Sequence, residues 1–111
     1  MPDSPDKKPL VARHCAHSRL LAEAEATELL AQLAGWQRDK GAIQKNFVFA
    51  NFYETMAFVN ALAFIGNREN HHPDLQVSYG KCTVRFSTHS VHGLSENDFI
   101  CAAKVDALLA D

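Results

Sequence analysis

His71 and His72 stand side by side, Pro73 follows them at once, and His89 closes the later run CTVRFSTH. An imidazole titrates near neutrality, so it can hold a proton for donation or lack one for acceptance. One histidine on a loop stiffened by proline and another at a strand end can flank a ligand from two sides. That arrangement suits a reaction in which one group leaves as water while another loses a proton. A metal centre is the competing chemistry. Adjacent histidines in a loop are not a helical zinc pair, which needs a spacing that puts both rings on one face. Glu69 and Asp74 have no diagnostic ligand spacing, and Cys82 belongs to an apolar run. His14, Cys15 and His17 crowd one short segment without a fourth ligand. No metal is therefore assigned, and no cofactor.

The elements that must position these side chains are legible as patterns. Residues 20–34, LLAEAEATELLAQLA, place Ala26, Leu29, Leu30 and Leu33 on one helical face, and Gly35 is suited to a left-handed cap. In WQRDKGAIQKNFVF, Ile43, Phe47 and Phe49 alternate with polar Gln44 and Asn46, and Lys40-Gly41 supplies a hairpin turn. Asn51 followed by Glu54 forms a capping box that opens a second helix, FYETMAFVNALAFIGNRE. That helix carries two apolar stripes, Phe52, Met56, Val59 and Ala63 on one side and Phe58, Leu62 and Ile65 on another. A monomer needs only one, so the second is expected to meet another subunit. After the histidines, Leu75, Val77 and Tyr79 alternate, Gly80-Lys81 turns the chain, and Cys82, Val84 and Phe86 share a face. Ser95 with Asp98 caps a last helix. The order α-β-β-α-β-β-α describes an α+β fold with helices on one face of antiparallel hairpins.

Bulk properties narrow the function classes. A chain of 111 residues suits one domain, and 47% hydrophobic residues can supply its core. Residues 1–17, beginning MPDSPDKKP, read as a loosely held tail, with the domain spanning 18–111. A formal charge of −2 with interspersed signs gives no footprint for nucleic acid or anionic membrane. No stretch reaches the length of a membrane span, no signal-peptide block opens the chain, and three cysteines without a CxxC pair argue against a disulfide framework. The expected compartment is the cytoplasm, with Cys82 and Cys101 as small buried hydrophobes.

The block NHHPDL, the aromatic Tyr79, STH ending at His89, and GLSENDF with Asp98 together resemble the pterin-4a-carbinolamine dehydratases, also called 4a-hydroxytetrahydrobiopterin dehydratases. The resemblance runs from Leu21 through Leu109 and includes Gly35-Trp36. It implies a four-stranded antiparallel sheet covered by three helices, and dimers or tetramers in which the middle helix packs against its copies. It further implies a pterin site without metal, serving tetrahydrobiopterin recycling. Carried over by position, His71 and His89 are the acid–base pair, while His72, with Asn67 and Pro73, binds and orients the pterin. Asp98 matches the family's aspartate, expected to cap the last helix beside the site without proton transfer of its own. Two positions depart from the family pattern: Asn67 stands where an acidic residue is usual, and Leu75 where tryptophan is frequent. Because family members also serve as dimerisation cofactors of a homeodomain transcription factor, an interaction module built on the middle helix is the alternative.

Overall fold

The computed structural model describes residues 8–110. Three helices and four strands follow the expected order: α1 (Glu23–Leu30), β1 (Gln37–Asp39), β2 (Ala42–Val48), α2 (Phe52–Glu69), β3 (Asp74–Ser78), β4 (Lys81–Phe86) and α3 (Glu96–Ala107). The strands form one antiparallel sheet in the order β1-β2-β4-β3. Thus α2 carries the chain over β4 to reach the opposite edge. Lys40 (φ 49°) and Gly41 (φ 80°) turn the first hairpin in the left-handed conformation that matches strand twist. The helices cover one sheet face, where Ile43 opposite Phe86 and Phe47 opposite Cys82 build the core with Phe58, Leu62, Phe99 and Ile100. Phe47 and Phe58 meet at 4.7 Å between ring centroids. The other face is polar: Thr83 donates to Asn46 Oδ1, and Arg85 donates to Asp39 Oδ2 and Gln44 Oε1.

Local chemistry explains the element ends. Asn51 Oδ1 accepts the Glu54 amide at 2.9 Å, so the expected cap starts α2. The first helix is shorter than its apolar periodicity suggests. Leu21 donates its amide to Leu94 O, which keeps the chain extended up to Ala22, and Glu25 then accepts the Ala22 amide. The Arg19 guanidinium, and after it the Ala22 amide, hold the Glu25 pKa down to about 2. Beyond Leu30 the chain tightens into turns until Gly35, at φ 85°.

Residues 8–17 differ from a loosely held tail. Leu10 is buried in a one-turn 3₁₀ helix (Leu10–Ala12), and Lys104 of α3 donates to Val11 O at 2.8 Å. Residues 1–7 of the expected tail lie outside the described residues. On α2, Phe58 and Leu62 of one stripe enter the core, whereas Phe52, Tyr53 and Phe64 remain exposed. Cys82 and Cys101 are fully buried, and burial pushes the Cys82 thiol up. Among the described residues, no helix is long and apolar enough to cross a membrane.

Candidate active site

The histidines sit where they do because α2 ends in a Schellman motif. Asn70 takes the left-handed conformation (φ 53°, ψ 43°), its amide donates to Asn67 O, and the His71 amide donates to Gly66 O at 3.1 Å. This turn reverses the chain onto β3, and Pro73 prevents the helix from continuing. Gly66 sits at its foot, where space is tight. A Cβ there would meet His72 Cδ2 at 3.3 Å and His71 O at 3.4 Å.

His71 points inward and is held on two sides. Its ring stacks over Phe86 with 11° between planes, and Nε2 lies 2.6 Å from Asp98 Oδ1. Asp98 is 0% exposed. Its second oxygen accepts Thr88 Oγ1 at 2.8 Å and the Ser95 amide at 3.0 Å, and Ser95 Oγ lies 2.7 Å from Thr88 Oγ1. Such a fully bonded carboxylate accepts from Nε2–H, fixes the tautomer, and leaves Nδ1 for proton exchange. The aspartate therefore does more than cap α3. It orients an imidazole.

The remaining histidines are more open. His72 is exposed, with Nε2 3.4 Å from Asn67 Oδ1. Asn67 thus neighbours His72, and the carboxylate beside His71 is Asp98. His89 does not end a strand, because β4 stops at Phe86; it opens a 3₁₀ turn (His89–Val91) held by pairing between Thr88 and Gly93. All three histidines line one cleft of about 600 Å³, within the size range of small-molecule sites. Pro73 and Asn67, both expected at the ligand, are not among the residues that line it.

A further part of the lining is not legible in the sequence. It consists of residues 15–18 of the N-terminal segment, together with Glu69 and Asn97. His14 Nδ1 lies 3.0 Å from Glu69 Oε2, and the Cys15 amide donates to Glu69 Oε1 at 2.8 Å. Cys15 Sγ is 3.6 Å from Cys101 Sγ. Hydrogen bonding to Cys101, then burial, pushes the Cys15 thiol far above its usual range, which suits packing and not nucleophilic attack. Among the described residues no three His, Cys, Asp or Glu side chains are grouped to hold a metal ion. The HCAH stretch was the available signal, but only as ligand-type residues.

The family model for "Pterin 4 alpha carbinolamine dehydratase" matches residues 19–108. A relative in Nitrosospira multiformis, named for the same family, is 57% identical over 79% of this chain and 78% of its own. One from Stenotrophomonas maltophilia K279a is 60% identical over 79% of this chain and 78% of its own. The crystal structure of a transcriptional coactivator/pterin dehydratase from Brucella melitensis superposes with a TM-score of 0.80 at 32% identity, covering 83% of this chain and all of that one. A pterin dehydratase-like protein described as a RuBisCO assembly factor of the alpha-carboxysome gives a TM-score of 0.58 at 26% identity, over 68% of this chain and 88% of its own. With the family model spanning nearly the whole described domain, and the fold shared with a pterin dehydratase, the chain belongs to the pterin-4a-carbinolamine dehydratase family.

Proposed function

We propose that the protein removes water from a 4a-hydroxytetrahydropterin, the carbinolamine left by pterin-dependent aromatic hydroxylation, and returns quinonoid dihydropterin to tetrahydrobiopterin recycling. The observation that carries this reading is the His71–Asp98 pair, set in the wall of a cleft that His72 and His89 also line. In the reaction the C4a–O bond breaks with its electron pair on oxygen, and a proton converts that oxygen to water. The ring nitrogen's electrons form the new C=N bond as its proton departs. His71 and His89 divide these two transfers between them, and His72, beside Asn67, binds and orients the flat ring. Acid–base assistance of this kind contributes about 10²–10⁴-fold in rate, and orientation adds to it. No cofactor is required by this chemistry.

The test is direct. Purified protein is mixed with enzymatically generated carbinolamine, and the ultraviolet decay of the intermediate is followed. Decay much faster than in buffer is expected, and a rate equal to buffer overturns the proposal.

A second reading is an interaction role in which α2 assembles copies of the chain into a dimer or tetramer, or meets another protein. It is favoured by the exposed aromatic residues Phe52, Tyr53 and Phe64 on that helix. It is compatible with catalysis, and the reading puts both roles in the cytoplasm.

A further inference from the structure

Glu69 is a buried carboxylate that the acid–base scheme does not use. It is the last residue of α2, and its side chain is 4% exposed. A carboxylate at this end of a helix faces the negative pole of the helix dipole, and burial adds a desolvation cost. Burial alone would raise its pKa. The Cys15 amide, His14 and Lys104 more than offset this, and hold the carboxyl below its ordinary value. Two of those three partners belong to the N-terminal segment, and the third, Lys104, also fastens that segment at Val11.

Asn97 provides a second anchor. It is 7% exposed, accepts the Ala16 amide at 3.1 Å, and donates from Nδ2 to Ala16 O at 2.9 Å and Ser18 Oγ at 3.0 Å. A side-chain amide that satisfies both backbone groups of one residue fixes the chain much as a strand partner would. The segment held in this way forms a wall of the histidine cleft, yet it precedes residue 19, where the match to the family model begins.

We propose that residues 15–18 are a fixed substrate wall, and that Glu69 and Asn97 are the positioning residues that hold it against the pterin. The inference rests on the dehydratase reading for the identity of the ligand. The wall acts on binding: it confines the ring beside His71 and His89 without joining the proton transfers. Loss of the wall should therefore raise KM and the dissociation constant while kcat holds.

The experiment compares wild type with Glu69→Ala, the near-isosteric Glu69→Gln, and Asn97→Ala. Hydrogen exchange at the Cys15 and Ala16 amides reports docking of the segment, and circular dichroism reports the fold. Equilibrium dialysis with 7,8-dihydrobiopterin, which has no 4a-hydroxyl to lose, reports binding apart from chemistry. Glu69→Ala and Asn97→Ala should expose these amides, weaken binding and raise KM by roughly tenfold, and keep kcat within about twofold. Glu69→Gln, which keeps an acceptor for the Cys15 amide, should recover most of the affinity. Released amides with unchanged binding would overturn the wall, and protected amides in both alanine variants would overturn the anchors. A fall in kcat as large as the fall in kcat/KM would also refute a binding role. If wild-type protein neither binds the pterin nor dehydrates carbinolamine, the dehydratase reading fails, and amide exchange still shows whether the two anchors hold the segment.

Discussion

Asp98 Oδ1 lies 2.6 Å from His71 Nε2, while Asp98 Oδ2 accepts the Ser95 amide that opens α3. One buried carboxylate thus ties the start of a helix to an imidazole that precedes the sheet's last hairpin in the chain. Asp98→Asn keeps the shape but changes what one of the two positions can accept. It should lower kcat by about a hundredfold or more, because the His71 tautomer is no longer fixed. The buried hydrogen bonds it disturbs are worth about 1–3 kcal/mol, so a lowered thermal midpoint should accompany the kinetic loss. Wild-type kcat in a folded Asp98→Asn protein would contradict the role.

Steady-state kinetics should separate the three histidines. His71→Ala and His89→Ala should lower kcat by about 10²–10⁴-fold, as expected for acid–base groups. His72→Ala should mainly raise KM. The double variant lacking His71 and His89 should lose less than the product of the single losses, since both serve one step. Because Asn67 neighbours His72, Asn67→Glu should alter KM and leave the pH dependence of kcat in place. A displaced kcat profile would place Asn67 at the proton-transfer centre.

Assembly through α2 is tested on the side chains that a single chain leaves open. Phe58 and Leu62 are core residues, so charging them would unfold the protein without reporting on assembly. Phe52→Glu and Phe64→Glu are the informative changes, because both residues are exposed in the single chain. Light scattering should find wild type as a dimer or tetramer and these variants as smaller folded species. A monodisperse wild-type monomer at micromolar concentration would contradict the interface.

The Glu69 anchor should weaken in acid. Its carboxyl titrates below the ordinary 4.5, so its contribution to stability is complete above that value and is lost as pH falls through the lower, folded value. Exchange at the Cys15 amide should therefore accelerate below about pH 4.5, after correction for intrinsic rates, before the α3 amides lose protection. Glu69→Gln should abolish this pH dependence. Equal loss of protection in α3 would show global unfolding instead.

The local amino-acid pattern is enough to set the elements and the group of histidines. Alternation in IQKNFVF, the Lys40-Gly41 turn and the Asn51 cap each act over a few residues, so the physics that forms them is present in the local pattern. The same holds for the end of α2, where Asn70 and Pro73 stop the helix and aim His71 and His72. Long-range packing resolves what the pattern leaves degenerate. An aspartate three residues past a serine reads as a cap wherever it stands; only the packing of α3 under the histidine loop brings its other oxygen to His71. Two apolar stripes look alike on a helical wheel, and only the sheet selects Phe58 and Leu62 for the core. Polar, proline-rich composition suggested a free N-terminus. Leu10 is far in the chain from Glu69 and Asn97, and the site that buries it and the anchors that hold its segment exist only once α2 and α3 are packed together.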